Sequence, residues 1–177
     1  MTAVPDELVT TSLEMLSPDQ FQPALLDDPA LVILPLTAVD VPFYRFLYDA
    51  VGDAWRWRDR RLLTDAALAS VLAVNETYVL YVDGAPAGYV ELSPDVPFEG
   101  VEIVLFGLRA PFTGRGLGKH LLSVGIRRAW ELTRSATGRV WVHTCNLDSP
   151  VALENYQKRG FVIYDVRREP MPERYRR

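Results

Sequence analysis

Residues 101–122, VEIVLFGLRAPFTGRGLGKHLL, decide the fold of this chain. Their first eight residues form an apolar run of strand length, and the run enters a turn that contains Gly114, Gly116 and Gly118. From Gly116 to about Thr133 apolar residues recur at spacings of three and four, which predicts an amphipathic helix. The residues on that apolar face are Leu117, Leu121, Leu122, Ile126, Ala129 and Trp130. The stretch therefore predicts a strand, a glycine-rich turn and a helix.

The glycine-rich turn, residues 113–118, is typical of an anion-binding loop. Glycines let the backbone fold tightly and bring its N–H groups against a ligand, and the N-terminus of a helix adds partial positive charge. Such a turn can hold a pyrophosphate. Glycines between a strand and a helix also occur simply to make the turn, so the composition leaves both interpretations open.

Spacing excludes the common nucleotide-binding motifs. The P-loop pattern needs glycine where Thr113 stands and a hydroxyl residue where His120 stands. The dinucleotide fingerprint needs a small residue at Leu121 or at Lys119, depending on which glycine begins it. The chain also lacks the Gly-x-Ser-x-Gly and His-Glu-x-x-His motifs, so neither of these motifs indicates a hydrolase.

The composition indicates one globular domain over residues 1–177, in which residues 1–25 form a possible extra edge strand and lead-in. A single cysteine, Cys145, excludes a disulfide within the chain. The net charge of −4 argues against nucleic acid as a partner. No apolar run approaches the roughly 20 residues that span a bilayer, and the N-terminus has no basic region before an apolar run. We therefore expect a cytoplasmic protein without a membrane partner.

The segments on both sides of the glycine-rich turn predict a mixed α/β sheet with helices on its faces. Asp40 caps a helix that carries Phe43, Phe46, Leu47 and Val51 inward. The other predicted elements are an edge strand within residues 8–16, a strand at 30–35, a short helix from Thr64 to about Val74, a hairpin over 78–92, a strand at 139–143, a helix from Ser149 to Lys158 and a strand from Phe161 to Val166.

Two motifs in this order resemble those of the GNAT superfamily of N-acetyltransferases. The family's pyrophosphate loop, Gln/Arg-x-x-Gly-x-Gly/Ala, corresponds to Thr113-x-x-Gly116-x-Gly118. Thr113 departs from the pattern because it offers one hydroxyl in place of a long polar side chain, so binding must depend on backbone N–H groups and on Arg115. The second motif is Pro150-x-Ala152-Leu153-x-x-Tyr156-x-x-x-Gly160-Phe161.

The resemblance implies a GNAT-like fold with a central, mostly antiparallel twisted sheet of six or seven strands and helices on both faces. It also implies acetyl-CoA as the co-substrate, without a metal. The residues that it assigns to the coenzyme are Leu108, Thr113, Gly114, Arg115, Gly116, Leu117, Gly118, Lys119 and Asn155.

For catalysis, the resemblance implies Tyr156 as the acid that protonates the coenzyme sulfur, with plain core packing as the alternative role. Glu102 is an acid in an apolar strand and precedes Gly116 by fourteen residues, the spacing of the catalytic glutamate in the histone-acetyltransferase branch. His143 is the competing base, and solvent is the third possibility. The backbone N–H near Leu108 is the expected donor to the oxyanion.

The acceptor is expected beside the aromatic and basic cluster 55–61, where the family's loop between its first two helices covers the acceptor pocket. Trp55 and Trp57 would form an apolar wall or stack on a cation, and Arg58 would bind a carboxylate or phosphate. His143 is a further candidate contact. A basic loop with tryptophans in the core explains the same residues.

The sequence as a whole predicts transfer of an acetyl group from acetyl-CoA to a primary amine of a small molecule, with a peptide as second choice, by direct attack in a ternary complex. The alternative is an acyl-CoA-binding sensor of the same fold without turnover, which the departure at Thr113 favours. The presence of both Glu102 and Tyr156 favours the enzyme. The chain is expected to be a monomer or a homodimer.

Overall fold

The computed structural model describes residues 4–95, 100–133 and 138–176. In these ranges the longer elements are β1 (Glu7–Met15), β2 (Leu31–Pro35), α1 (Val41–Gly52), α2 (Asp65–Leu72), β3 (Glu76–Val82), β4 (Ala85–Asp95), β5 (Gly100–Leu108), α3 (Leu117–Leu132), β6 (Arg139–Cys145), α4 (Ala152–Lys158), β7 (Val162–Pro170) and α5 (Glu173–Arg176). Short 3₁₀ turns lie between several of them.

One mixed sheet has the strand order β2-β3-β4-β5-β6-β1-β7. Strands β5 and β6 pair in parallel, and the other neighbouring pairs are antiparallel. Helices α3 and α4 cover one face, and α1 and α2 cover the other. The predicted fold class is therefore confirmed.

Strand β1 lies inside the sheet, where the sequence predicted an edge strand. It pairs with β6 on one side and with β7 on the other. Leu13 and Met15 are fully buried in the core beneath α3. The partners of β1 are more than 120 residues away along the chain, and local patterning carries no information on so distant a pairing.

Helix α1 begins as predicted, with the Asp40 carboxylate accepting a hydrogen bond from the Phe43 N–H at 2.9 Å. Of its predicted inward residues, Leu47 and Val51 are buried and Phe43 packs against the core. Phe46 is not buried: it is 44% exposed, and the Arg109 guanidinium lies over its ring, 5.2 Å from the ring centre. Packing against the sheet instead buries Tyr44 and Tyr48 beside Leu47 and Val51.

The parallel pairing of β5 with β6 is short. It runs from Gly100 opposite Arg139 to Ile103 opposite Val142. Just beyond it, the antiparallel register between β4 and β5 shifts, so that Val104 is an extra residue in β5. From that point β5 and β6 diverge and leave a gap between them.

The segment between β1 and β2 packs across the helices of the α3 face. The Leu26 N–H bonds to His120 Nδ1 at 3.0 Å, and the Gln22 N–H bonds to the Arg159 carbonyl at 3.0 Å. Next to Arg159, Gly160 ends α4 with a φ of 103°, and a Cβ there would lie 1.9 Å from the Gln20 carbonyl oxygen. Only glycine fits at this close approach.

We expect Gly160→Ala to lower the free energy of unfolding by about 3 kcal/mol, since it adds backbone strain to a clash with another part of the backbone. Gly84→Ala is the matched control, because Gly84 has a φ of 80° and a Cβ there meets no atom within 4 Å. It should cost about 1 kcal/mol. Urea denaturation measures both, and equal losses would contradict the close approach.

Candidate active site

A cavity of about 630 Å³ occupies the gap between β5 and β6. One end, called the coenzyme end because the sequence predicts the coenzyme there, lies against the glycine-rich turn and α4, and is lined by Leu108, Thr113, Gly114, Gly116, Gly118, Lys119, Glu154, Asn155, Tyr156 and Lys158. The other, called the acceptor end because the sequence predicts the acceptor there, lies under the loop after α1, and is lined by Tyr48, Trp55, Arg56, Trp57, Asp59, Arg60, His143, Cys145, Asp148 and Tyr175. Residues 103–107 of β5 line the cavity as well.

The glycine-rich turn presents backbone to the cavity. Gly114 and Gly116 both have a φ of 75°, a conformation that glycine adopts without strain. Helix α3 begins at Leu117 with no acidic residue in its first turn, and none of the described side chains caps it. Its first N–H groups are therefore available to an anion, and the helix dipole favours negative charge there.

Glycines keep the backbone of this turn accessible. A Cβ on Gly118 would approach Leu108, Phe106 and Asn155 only to 3.7–4.0 Å, so the glycine leaves room for close contact with a ligand. The Lys119 side chain folds over Gly116, its Cε atom 3.2 Å from where a Cβ would stand. The turn thus combines donors, positive charge and an open backbone.

Seven of the nine residues assigned to the coenzyme from sequence line the cavity. Arg115 and Leu117 do not: Arg115 is exposed on the turn, and Leu117 is buried in the core below it. The Thr113 hydroxyl donates to the Ala110 carbonyl at 2.9 Å, so its proton holds the turn in shape. Lys158 also lines the cavity, although sequence reasoning missed it.

Tyr156 stands in α4 with its ring between Phe106 and Phe161, at centroid distances of 6.1 and 6.0 Å. The residue is only 5% exposed, yet it forms part of the cavity wall. Burial raises the pKa of its phenol, and the nearby Asp148 carboxylate raises it further. The phenol is consequently a neutral proton donor at physiological pH.

Glu102 and His143, the two rival bases of the sequence, form a pair. Their side chains project from adjacent strands β5 and β6, and Glu102 Oε1 lies 3.0 Å from His143 Nδ1. This hydrogen bond raises the pKa of His143, although burial acts in the opposite direction. Because the carboxylate holds a proton at Nδ1, the basic lone pair of the neutral imidazole is at Nε2.

Trp57 is fixed in the wall of the acceptor end by three contacts. Its Nε1–H donates to Asp148 Oδ1 at 3.3 Å, and its ring lies 5.5 Å from that of Tyr48. Gly52, at the end of α1, leaves space for the indole, since a Cβ there would lie 2.4 Å from it. Trp55 lines the same wall. Both tryptophans therefore line this end of the cavity.

The arginines of this loop bind the protein itself. Arg61 pairs with Asp49 at 2.6 Å and with Asp53 at 3.0 Å. Arg58 lies 3.8 Å from Asp53, donates to the Trp57 carbonyl and stands outside the cavity lining, so the geometry does not support its predicted contact with the substrate. The acidic partners come from α1 and its C-terminal turn, so the cluster fastens the loop to the helix.

Glu91 is a buried acid that sequence reasoning did not single out. It is fully buried in β4 and accepts hydrogen bonds from Arg60 at 2.6 Å, Asn75 at 2.5 Å and the Tyr44 hydroxyl. Arg60 lines the acceptor end, so the buried carboxylate anchors the wall of the cavity. The signal in the sequence is the same as for Glu102, an acid within an apolar strand.

Helix α5 closes the outer side of the acceptor end. The Tyr175 hydroxyl donates to Asp59 Oδ2 at 2.9 Å, and Arg174 pairs with Asp59 Oδ1 at 2.8 Å. Arg56 donates to the Tyr175 carbonyl at 3.3 Å. The C-terminal residues lie far along the chain from the loop after α1, so local patterning could not indicate this contact.

A sequence profile described as the Acetyltransferase (GNAT) family matches residues 43–161. The chain belongs to this family. The match confirms the resemblance noted from the glycine-rich turn and the α4 motif. An uncharacterized N-acetyltransferase in the pepI 3′ region of Lactobacillus delbrueckii subsp. lactis is 35% identical over 100 residues, which cover 51% of this chain and 58% of that protein. The chain therefore spans less than two thirds of that relative.

Solved structures share the GNAT fold. A GCN5-related N-acetyltransferase from Kribbella flavida superposes with a TM-score of 0.60 at 16% identity, over 88% of this chain and 54% of that one. An IAA acetyltransferase from Bacillus cereus superposes with a TM-score of 0.58 at 24% identity, over 76% of this chain and 79% of that one. An aminoglycoside acetyltransferase from a soil metagenome, in complex with trehalose, superposes with a TM-score of 0.57 at 18% identity, over 73% of this chain and 87% of that one. At these identities the likeness shows the fold alone.

Within residues 4–95, 100–133 and 138–176, no helix of this GNAT chain combines the length and the apolar character needed to cross a bilayer. The same residues contain no group of three or more His, Cys, Asp or Glu side chains placed to hold a metal ion.

A pH titration of the histidines tests the Glu102–His143 pair. The two histidines of the chain should separate in NMR spectra, because the hydrogen bond raises the pKa of His143 while burial lowers that of His120. Glu102→Gln should lower the pKa of His143, since it removes the acceptor's negative charge. Glu76→Gln, on β3, is the matched control. An unchanged titration in Glu102→Gln would contradict the pairing.

Proposed function

We propose that this GNAT chain transfers an acetyl group from acetyl-CoA to a primary amine of a small molecule by direct attack in a ternary complex. One observation carries the proposal: a single cavity joins an uncapped, glycine-rich helix N-terminus to a Glu–His pair that can accept a proton. The first feature suits a pyrophosphate, and the second suits a nucleophile that must lose a proton.

At the coenzyme end, the N–H groups of residues 114–118 would bind the pyrophosphate, and Lys119 would add positive charge. Bound acetyl-CoA supplies a thioester as the acyl donor. Leu108 is suited to stabilise the oxyanion through its backbone. The next residue, Arg109, donates its N–H to Ala87 of β4, and successive N–H groups of a strand point to opposite edges. The Leu108 N–H therefore faces the gap.

His143 acts as the base in this proposal, and Glu102 positions it. His143 lines the cavity, and its Nε2 can take a proton from the amine as the amine attacks. Glu102 fixes the tautomer and stabilises the imidazolium that forms, because the carboxylate remains hydrogen-bonded to Nδ1. This arrangement assigns a distinct role to each of the two candidates found in the sequence.

Tyr156 donates a proton to the departing thiolate. Its raised pKa keeps the phenol protonated until the sulfur develops negative charge. Cys145, which also lines the cavity, is unsuited to form an acyl-enzyme, because burial raises the pKa of its thiol to about 12 and a thiol is a poor nucleophile. Direct transfer between the two bound substrates is therefore the simpler route.

The acceptor end favours an amine with an apolar body. Trp55, Trp57, Tyr48 and Tyr175 form its walls. The carboxylate of Asp148 accepts hydrogen bonds from Trp57, from the Thr144 hydroxyl and from the Cys145 N–H. Among the described residues it has no cationic partner. Its negative charge can therefore attract an ammonium group.

Release of free thiol from acetyl-CoA, measured over a panel of aliphatic and aromatic amines, tests this function. Turnover with at least one small amine is the expected result. If calorimetry detects acetyl-CoA binding but no amine or peptide releases thiol, the chain is an acyl-CoA-binding sensor. If acetyl-CoA does not bind, the assignment of the coenzyme end is wrong.

Gly118→Val should weaken acetyl-CoA binding by tenfold or more, on the order of the 1.4 kcal/mol that a tenfold change represents, because the side chain fills the space above the turn. The backbone at Gly118 is ordinary, so the fold should survive. Gly114→Ala is the control for backbone strain in the turn without a filled space, since Gly114 has a φ of 75° and a Cβ there meets no atom within 4 Å. Calorimetric affinity equal to wild type in Gly118→Val would remove the turn from the site.

His143→Gln should lower kcat/KM by about 100-fold and abolish the acidic limb of its pH profile. Glu102→Gln should keep the limb but move it to lower pH, because the pKa of His143 falls when the carboxylate is lost and the base is then neutral at lower pH. An acidic limb that persists in His143→Gln and vanishes in Glu102→Gln would assign the base to Glu102. A limb unchanged in both would assign proton removal to solvent.

Tyr156→Phe should lower kcat by about 100-fold while the affinity for acetyl-CoA changes little, because the ring still packs between Phe106 and Phe161. The matched control is Tyr164→Phe on β7, which lies outside the cavity lining and should retain full activity. Full activity in Tyr156→Phe would leave Tyr156 a packing role only.

A further inference from the structure

The outer edge of the sheet at β7 has no cover within the described part of the chain. All nine residues of this strand are exposed, and they include Val162 at 56%, Tyr164 at 47% and Val166 at 51%. A long strand edge with apolar side chains on it is a template for pairing with another strand. The opposite edge, β2, has only five residues and ends at Pro35, so it offers much less backbone.

The free hydrogen-bonding groups of β7 belong to alternate residues. Arg167 lies opposite Thr10 of β1, and the Met171 N–H donates to the Asp6 carbonyl, so odd-numbered residues in this part of the strand face β1. The N–H and C=O groups of Val166 and Arg168 consequently point away from β1, toward the open edge.

We propose that this edge binds the same edge of a second copy of the chain, antiparallel, with Val166 opposite Val166 of the second copy. In this register Asp165 faces Arg167 of the second copy on both sides of the two-fold axis. Asp165 and Arg167 have no ion-pair partner among the described residues, so the pairing would satisfy both charges. Arg168 would face Tyr164.

Neighbouring two-fold registers are unfavourable. Centring the pair on Asp165 or on Arg167 sets like charges directly opposite each other, which destabilises a strand pair. Centring it on Tyr164 sets Ile163 against Asp165. The order of residues along β7 is therefore self-complementary in one register, and this complementarity commits the edge to a second copy of the chain.

The experiment is sedimentation velocity on the full chain over a range of concentrations, without any substrate, so its outcome is independent of the proposed function. A concentration-dependent dimer is expected. Asp165→Arg and Arg167→Asp should each give monomers, because each sets like charges opposite one another twice. Asp19→Arg, the same change of charge on an exposed residue away from β7, should remain dimeric.

Rescue tests the register itself. The double variant Asp165→Arg/Arg167→Asp should recover the dimer, and an equimolar mixture of the two single variants should form heterodimers, since every charge then meets its opposite. Thermal melting followed by circular dichroism establishes that each variant is folded. A monomeric wild type, a dimer that survives both single changes, or a failure of both rescues in folded variants would overturn the proposal.

Discussion

The site depends on one constraint: β5 and β6 can pair only at their first four residues. Parallel pairing ends at Ile103 and Val142, and the register shift at Val104 turns β5 away. Divergence leaves backbone groups of β5 without a strand partner, and it opens the cavity beneath them. It also sets the position of the two candidate catalytic residues, because Glu102 and His143 lie at the point where the two strands diverge.

The walls of that cavity are held by ion pairs and hydrogen bonds within the protein. Hydrogen bonds from Arg60, Asn75 and Tyr44 compensate the buried Glu91 carboxylate for lost hydration, and Arg60 belongs to the loop after α1. Asp59 in turn fastens α5 to the same loop. Most arginines of the aromatic and basic cluster thus shape the acceptor end by binding the protein.

The N-terminal residues stabilise the same region from the other face. Strand β1 joins β6 to β7, and the segment after it bonds to the side of α3 and to the end of α4, the two helices that flank the coenzyme end. The close approach at Gly160 shows how tightly this segment is packed. The two helices are therefore held both by the sheet and by the segment between β1 and β2 that crosses them.

Local patterns in the sequence were sufficient to predict most of the elements and the glycine-rich turn, because periodicity, caps and glycines act over a few residues. Asp40, the turn 113–118 and Gly160 all stand where the pattern placed them. Contacts between distant parts of the chain set the central position of β1, the exposure of Phe46 on α1, the pairing of Glu102 with His143 and the place of α5. Some of these features join residues that are far apart in the chain, and others depend on which of two similar local patterns is buried. Glu91 and Glu102 are an example, because both are acids in apolar strands and only packing distinguishes them.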